Sequence, residues 1–529
     1  MASQSRVLPL SERTRMRDAA SACGRRSCLV LAAVVCWAPL APWARDARAA
    51  EANNTAAQRS PFADAVAVWH MAGAAGQGGV LEVRGDVRLG VELGGPEREA
   101  SLCRGGDGRV AEFRGGHLVA GGKEAKALPL VGKEMTLCVR LRDPEGRWDS
   151  AILARQDPKD PPRDILYCTH VNRSRIGARE ARRIKEGRAL EFLWRTEPVE
   201  ARVRPEYVEK WYKLLSGVEG FRSGLLRVAA PVELLGPTAW HDVVVRFKGP
   251  NLELFVDGVL VDEEWPHGAL HGFEGPFLVG ASVEDGKPGP VFRGLVDHVA
   301  LWNRALSDGE LEALSGGKAE VARRDLEILG PESESLQYWR PRGYNAFVGD
   351  CMAFYHDGTF HFFYLFDRRH HASKWRTGAH QFAHASSKDL VHWQHHPMAL
   401  PITDPTECSI GTGCCVFREG KHYLYYIEHG RRIPFADAPY LGDNIFVATS
   451  TDGIHFRKHP EPVAKMEYLG RSDINPHVFA DASGRRYFIF ISGWKDYVSN
   501  DLMRWHPTQE LSSLRGFKGW ICSSYFEWN

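Results

Sequence analysis

The chain has 529 residues, which is enough for two or more domains, and its 67 Lys and Arg residues balance 66 Asp and Glu residues. A formal net charge of +1 excludes the strongly basic character that nucleic acids and anionic membrane surfaces select. The 52 glycines and 30 prolines indicate many turns, and this composition favours an all-β chain.

Residues 1–49 have the pattern of an export signal. Two arginines precede an apolar run at residues 28–44, and a small-x-small cleavage site ends at Ala49. The run is short for a membrane span, so cleavage is expected rather than anchoring. The sequence RRSCLV also resembles a twin-arginine signal. The mature protein is therefore predicted to be secreted or periplasmic, with no membrane partner.

Short apolar runs alternate with Gly-rich turns from residue 62 to residue 316. Asp257-Gly258, between two apolar arms, predicts a β-hairpin. This half ends in a strand and a short helix, for which Ser307 and Glu310 predict a capping box. Residues 156–222 are basic and less regular. They predict an insertion whose charged side chains lie on a solvated surface.

A charged linker at residues 317–337 precedes a second half, residues 338–529, in which one pattern repeats. Each repeat has a turn, an aromatic strand and then Ser-x-Asp-(Leu or Gly). The turn glycines are Gly358, Gly420 and Gly484, and a spacing of roughly sixty residues fits a four-stranded propeller blade. About three blades are predicted. A closed propeller needs more, so the sequence as given is expected to be truncated.

The cysteines that follow the predicted signal show no spacing typical of zinc ligands, so no metal site is expected. No organic cofactor is implied either. Adjacent Cys414 and Cys415 should point to opposite faces of one strand, which places at most one of them in the core.

Two phrases of the first half, WHDVVV…LELFVDGVLV and VDHVALWNRALSDGELEAL, resemble the laminin-G-like, concanavalin A-like jelly roll of secreted bacterial proteins. The likeness covers most of residues 62–316 and implies a jelly-roll sandwich. Such a domain can bind glycans or proteins or simply fill space. The sequence singles out no ligand for it.

The segments YNAFVGDCMAFYHDGTFHFFYLF and HQFAHASSKDLVHWQHHPMAL resemble the first blade of glycoside hydrolase family 32, the β-fructosidases. The resemblance spans about 338–529 and implies a five-bladed β-propeller that hydrolyses fructosides by a retaining mechanism. In that mechanism one carboxylate attacks the anomeric carbon, and a second acts as general acid and then as general base. Asp350 stands at the nucleophile position. The alternative interpretation is an aspartate that caps a turn before a strand.

The other two family motifs are altered. Asn475 stands where the family has the aspartate that stabilises the transition state, and Asp473, on the same face of an extended chain, could partly substitute. Ile521 stands at the acid/base position, and isoleucine cannot transfer a proton. Glu407 and Glu428 are nearby acids, although a surface-loop position is favoured for both.

The same resemblance implies substrate-binding residues. Phe382 stands where the family often has a stacking tryptophan, His384 where it has histidine, and Ser409 begins a loop that touches the sugar. Arg368, in the sequence FDRRHH, is expected to hydrogen-bond a polar ligand rather than help to hold a metal. Trp375 could stack on a sugar or pack in the core.

The leading hypothesis is a secreted glycoside hydrolase whose partner is an oligo- or polysaccharide. The altered residues Asn475 and Ile521 motivate a second hypothesis, a catalytically degenerate propeller that binds sugar without cleaving it. A third is a truncated, non-functional product that leaves the edge of its last blade exposed.

Overall fold

The computed structural model describes most of both halves of the chain. The described residues are 61–73, 75–76, 79–120, 134–147, 150–155, 167–170, 189–195, 225–236, 239–249, 251–264, 275–284, 287–333, 341–343, 345–368, 380–403, 410–428, 444–465, 476–491 and 496–511. The predicted signal segment, residues 1–49, lies outside them.

The first half consists mainly of β-strands, as predicted. Its strands are β1 Ala67–His70, β2 Ala75–Gly76, β3 Gly79–Val80, β4 Glu82–Arg84, β5 Val87–Glu92, β6 Arg109–Phe113, β7 His117–Ala120, β8 Glu134–Arg142, β9 Leu153–Arg155, β10 Tyr167–His170, β11 Ala189–Arg195, β12 Leu225–Pro231, β13 His241–Lys248, β14 Asn251–Val256, β15 Val259–Glu264, β16 Phe277–Val279, β17 Val283–Glu284, β18 Lys287–Pro288 and β19 Gly294–Trp302. The helices are α1 Gly95–Cys103, α2 Asp308–Leu314 and α3 Lys318–Leu329, with a 3₁₀ turn at Val232–Leu234.

Three sheets enclose one hydrophobic core in this half. The largest has the strand order β15-β14-β13-β8-β19-β6-β5, with β1 also paired to β19. A second has the order β4-β7-β16-β9, and a third the order β10-β11-β12. Buried side chains from all three, such as Leu137, Phe277 and Phe192, belong to the same core cluster. Two strands of the third sheet, β10 and β11, fall within the predicted insertion at residues 156–222.

The second half contains three antiparallel sheets in which consecutive strands pair in chain order, except that β28 pairs with β26. Its strands are β20 Phe347–His356, β21 Thr359–Asp367, β22 Gln381–Ser387, β23 Gln394–His395, β24 Ile410–Arg418, β25 Lys421–Glu428, β26 Asn444–Ser450, β27 Arg457–Lys458, β28 Ala464–Lys465, β29 His477–Ala480, β30 Tyr487–Phe490, β31 Asp496–Ser499 and β32 His506–Thr508. We call these sheets S1 (β20–β23), S2 (β24–β28) and S3 (β29–β32). All described sheets support the all-β prediction.

The first strands of the three sheets are neighbours: β20 lies against β24, and β24 lies against β29. One hydrophobic core lies between S1 and S2 and contains Phe363 and Cys415. Another separates S2 from S3, where Cys414 packs. The two adjacent cysteines therefore point to opposite faces of β24, as predicted, because side chains alternate along a strand. Both pack against a core, Cys414 as a partly buried side chain, so the prediction that at most one of them lies in the core is wrong.

The predicted local signals are confirmed. Asp257 and Gly258 have φ angles of 52° and 79° and connect the paired strands β14 and β15, as a two-residue hairpin of the mirror-image type requires. Ser307 and Glu310 form the capping box at the start of α2, with a 2.7 Å bond from the Ser307 backbone N–H to Glu310 Oε2. Part of the predicted linker is helix α3. No helix in the described part of the chain is both long and apolar enough to cross a membrane.

Candidate active site

The first strand of S1 has an irregularity where Asp350 lies. The pairing of β20 with β21 shifts by one residue between Val348 and Cys351, so Gly349 and Asp350 sit in a β-bulge. A bulge bends the strand and re-aims its side chains, and bulges are frequent next to active sites. The side chain of Asp350 is exposed. The sequence therefore placed the aspartate correctly at the start of the first strand, where its carboxylate is open to a ligand.

Cys351, the next residue, is not a competing nucleophile. Its Sγ lies 3.5 Å from the carbonyl oxygen of Gly349. Partial burial, and then the nearby negative charge of Asp350, raise the pKa of the Cys351 thiol. The thiol stays protonated at neutral pH, and a protonated thiol is a weak nucleophile. The carboxylate of Asp350 thus remains the candidate nucleophile of this bulge.

Sequence analysis missed Thr412, which lies at the equivalent place in S2. The pairing of β24 with β25 shifts by one residue between Gly411 and Gly413, so Thr412 occupies a second bulge. Thr412 is 8% exposed, and its hydroxyl has no hydrogen-bond partner among the described residues. The sequence contains a spacing that could have identified Thr412. Asp350 and Thr412 each stand eight residues before the glycine of the following hairpin turn, Gly358 and Gly420.

The two bulged strands are directly linked. The backbone N–H of Gly413 points to the sulfur of Met352 at 3.1 Å, which joins β24 to β20 just beyond the bulges. A matching contact joins β24 to β29, from the N–H of Val478 to the sulfur of Cys414 at 3.1 Å. The starts of the first strands are thereby gathered on one side of the three sheets. The exposed carboxylate of Asp350 and the buried hydroxyl of Thr412 are among the polar groups that lie there.

Two predicted substrate-binding side chains are buried between S1 and S2. Phe382 is fully buried, and its ring lies 6.4 Å from that of Tyr426. His384 is 1% exposed and shares a hydrogen bond of 3.0 Å with His361. These contacts are those of core residues. A binding role for Phe382 and His384 stays a prediction from the family resemblance, and no described contact of either supports it.

His384 and His361 are held in the neutral form. Burial, and then the neighbouring His422, lower the pKa of His361 to about 4. Burial, and then the neighbouring His396, lower the pKa of His384 to about 2. One neutral imidazole can donate to the other in this pair, whereas two protonated rings have no acceptor. Because neither ring is protonated to an imidazolium at neutral pH, neither can act as a general acid.

Arg368 contacts the first half of the protein. Its Nε donates to Glu263 Oε1 at 2.9 Å, and its Nη1 donates to Asn345 Oδ1 at 3.1 Å. Its guanidinium also lies 5.1 Å from the ring centre of Phe366. Because the side chain of Arg368 is only 12% exposed, its N–H donors face other protein groups. The predicted bond from Arg368 to a ligand stays untested, while its structural partners are now defined.

The remaining predicted site residues lie outside the described residues: Trp375, Ser409, Asp473, Asn475 and Ile521. Their roles stay predictions from the sequence. Glu428 is described, and it is 2% exposed at the end of β25, where it pairs in register with Ile410. A surface-loop position is therefore wrong for Glu428. In the described part of the chain, no cluster of three or more His, Cys, Asp or Glu side chains could hold a metal ion.

Comparison with known families places each half. Residues 351–528 match the glycosyl hydrolases family 32 N-terminal domain. The resemblance to family 32 is confirmed. The family 32 match begins one residue after Asp350, so the nucleophile position itself rests on the sequence pattern and the bulge. Residues 222–312 match the concanavalin A-like lectin/glucanases superfamily, as the phrases of the first half had indicated.

The curated relatives share a short part of their length with this chain. Sucrose-6-phosphate hydrolase of Escherichia coli is 33% identical over 100 residues, which are 19% of this chain and 20% of that protein. Sucrose-6-phosphate hydrolase of Zymomonas mobilis subsp. mobilis is 36% identical over 103 residues, 19% of each chain. The chain thus spans about a fifth of the length of these relatives.

Among solved structures, a GH32 β-fructofuranosidase of Bombyx mori is 27% identical, with a TM-score of 0.25, over 30% of this chain and 34% of that chain. A second structure of that enzyme, a D63A mutant in complex with sucrose, is 25% identical with a TM-score of 0.27, over 36% of this chain and 42% of that chain. The family 32 match lies in the second half of the chain, and the curated relatives are hydrolases of sucrose 6-phosphate.

Proposed function

We propose that this protein is a glycoside hydrolase of the family 32 type that cleaves fructoside bonds by a retaining mechanism, with Asp350 as nucleophile. The sheets S1, S2 and S3 would be consecutive blades of a β-propeller, since each contains a four-strand meander, to which S2 adds the short strand β28, and their first strands adjoin. The first half would be a jelly-roll sandwich. The export pattern of residues 1–49 supports action outside the cytoplasm.

The exposed carboxylate of Asp350, in the bulge of β20 beside β24, is the observation that carries this proposal. A carboxylate there can attack the anomeric carbon of a bound fructoside, which forms a glycosyl ester and breaks the glycosidic C–O bond, and the leaving oxygen takes a proton from water. Water then hydrolyses the covalent glycosyl-enzyme and restores the carboxylate. The hydroxyl of Thr412, in the neighbouring bulge, has no partner among the residues that the structure describes, so it can hydrogen-bond a hydroxyl of the substrate.

The nucleophile is tested by Asp350→Asn in the full chain, assayed on sucrose, sucrose 6-phosphate, inulin and levan. We expect kcat to fall by at least ~10³-fold, as for removal of other catalytic groups. Asp357→Asn is the matched control, because Asp357 is an exposed aspartate at the other end of the same hairpin and asparagine tolerates its φ of 46°. Unchanged turnover in Asp350→Asn would overturn the assignment.

A second candidate function, sugar binding without cleavage, is favoured by Asn475 and Ile521. Asparagine carries no charge to offset a developing oxocarbenium ion, and isoleucine cannot protonate a leaving group. A wild-type chain that binds a fructan in calorimetry, yet hydrolyses none of the four substrates, would establish this function and overturn the enzymatic one.

The acid/base position is tested by Ile521→Glu. If residue 521 occupies the acid/base position, a new carboxyl group should raise kcat by roughly 10²–10⁴-fold, the usual contribution of general acid–base catalysis. Ile521→Gln is the control, since glutamine has the same shape as glutamate but transfers no proton. Equal rates for the Glu and Gln variants would contradict the alignment at this position.

A further inference from the structure

Strand β15, at the edge of the largest sheet, has three consecutive buried acids. Asp262, Glu263 and Glu264 are 0%, 7% and 6% exposed. Burying a carboxylate is costly unless it is paired or hydrogen-bonded, so such a run needs partners. These acids directly follow the apolar arm that predicted the hairpin, and three acids that end a strand already indicate a polar interface.

Two of these acids, Asp262 and Glu263, accept hydrogen bonds from side chains in the second half of the chain. Glu263 Oε1 accepts the 2.9 Å bond from Arg368 and a 3.4 Å bond from Gln381 Nε2. Asp262 Oδ1 accepts a 2.8 Å bond from Asn345 Nδ2, while its Oδ2 accepts from the backbone N–H of Ala229 at 2.8 Å. Asp262 therefore ties the second half to the sheets of the first.

The pairs form a connected group, because Arg368 Nη1 also donates to Asn345 Oδ1 at 3.1 Å. We call Asp262, Glu263, Asn345, Arg368 and Gln381 the interdomain clamp. The amide of Asn345 donates on one side and accepts on the other, which fixes its orientation. Each clamp side chain except that of Arg368 is at least nine-tenths buried.

The clamp holds the two chain ends of the β20–β21 hairpin. Asn345 lies two residues before β20, and Arg368 directly follows β21. At this open end of the hairpin, the outermost strand pair is Phe347 with Asp367. Asp350 lies three residues from that end. The clamp thus acts on the part of S1 that contains the bulge.

We propose that the N-terminal sandwich, through Glu263 and Asp262, positions the hairpin that carries Asp350, and so is part of the active-site support rather than a separately tethered binding module. The kinetic part of this inference rests on the proposed function. Removing one partner of a buried ion pair leaves the other charge uncompensated, which drives rearrangement of the segment that carries it. A displacement of about 1 Å at a reacting group can cost ~10²-fold in rate.

The test uses the full chain with Arg368→Met, Glu263→Gln, and both together. Arg368→Lys is the conservative variant, which keeps the charge but loses the planar fork. Arg104→Met is the matched control: its side chain is 14% exposed and bonds Asp242 at 2.9 Å within the first half, and Asp242 keeps a second partner, Arg140. All variants are compared well below the temperature at which any of them unfolds.

Hydrogen exchange by mass spectrometry tests the clamp without reference to activity. We expect Arg368→Met and Glu263→Gln to speed exchange in residues 347–356 at least tenfold, and to leave residues 444–450 of S2 unchanged. Arg104→Met should alter neither segment. Unchanged exchange in residues 347–356 would overturn the clamp, and this readout remains valid if the protein proves not to be an enzyme.

Kinetics test the positioning of Asp350. On the best fructoside substrate we expect kcat to fall roughly 10- to 100-fold in Arg368→Met with KM changed less than about threefold, partial recovery in Arg368→Lys, and no further loss in the double variant. Faster exchange with unchanged kcat would overturn the positioning role. A wild-type chain without turnover would instead overturn the proposed function. The hydrogen-exchange result would then decide by itself whether the clamp holds the β20–β21 hairpin.

Discussion

The repeated Ser-x-Asp sequence forms the same turn in all three sheets of the second half. In S1 the hydroxyl oxygen of Ser387 accepts the backbone N–H of Leu390 at 2.8 Å, and Ser450 and Ser499 bind Gly453 and Leu502 at 2.9 Å and 3.0 Å. The serine hydroxyl replaces a backbone acceptor and fixes the connection between the third and fourth strands. The repeat therefore encodes local structure rather than a ligand site.

Leu390→Gly should stabilise the protein. Leu390 has a φ of 63° and is 55% exposed, so it is strained while contributing little burial. A side chain in the left-handed region costs about 1–2 kcal/mol, and glycine loses part of this gain through its more flexible unfolded state. We expect the free energy of unfolding to rise by about 1 kcal/mol, measured by urea denaturation.

Leu502 provides the matched control for that substitution. Its φ of 64° is nearly the same, but its side chain is fully buried between S2 and S3. Leu502→Gly should therefore destabilise the protein by about 2–5 kcal/mol, because the lost core packing outweighs the relieved strain. A loss of stability in both variants would show that the backbone strain at Leu390 is negligible.

At the scale of elements, histidines from neighbouring strands gather between S1 and S2. His356 lies at the end of β20, His361 in β21, His384 in β22, and His422 in β25; their rings contact one another, and His384 also contacts His396. The other titratable groups that face this cluster are His395, His455 and Asp452. Few negative charges are close enough to compensate protonation of these rings.

The histidine cluster predicts a loss of stability in mild acid. The pKa values of His361 and His384 are lowered in the folded protein, to about 4 and about 2, from 6.5. The unfolded chain therefore binds more protons below pH 6.5, and its population grows as the pH falls towards the folded pKa. Each such histidine should weaken folding by up to about 1.4 kcal/mol per pH unit below 6.5. Urea denaturation between pH 7 and 5 measures this slope.

His384→Phe isolates the contribution of the cluster. The phenyl ring keeps the contact with Phe363, whose ring centre is 4.4 Å from that of His384, but it takes up no proton. The pH slope of the unfolding free energy should decrease in this variant, even if its stability at pH 7 is lower. His506→Gln, at an exposed strand position outside the cluster, is the control variant. Equal slopes in wild type and His384→Phe would contradict the prediction.

At the scale of the whole molecule, residues 60–529 form one compact unit. The predicted linker contributes helix α3, whose Arg324 binds Asp257 in the β14–β15 turn at 2.9 Å. Arg342, which follows, bonds the carbonyl oxygen of Gly330 at 2.7 Å, where α3 ends. The connection between the halves is thus bound to the first half through Arg324, and the interdomain clamp adds a second set of contacts between the halves.

The sequence by itself determined the features that short stretches of backbone decide. The Asp257-Gly258 hairpin, the Ser307 cap, the repeated strands and the position of Asp350 at the start of β20 were predictable, because turn geometry, capping and alternation depend on neighbouring residues. The resemblance to family 32 was predictable for the same reason, since its motifs are contiguous.

Only the tertiary structure decided which side chains meet across the chain. Arg368 looked like a ligand-binding residue in FDRRHH, yet its partner Glu263 is 105 positions away, and no local pattern connects the two. His384 likewise became a buried partner of His361 because strand pairing and sheet packing brought them together. Such pairs form when distant strands exclude water between them, and that depends on the fold as a whole.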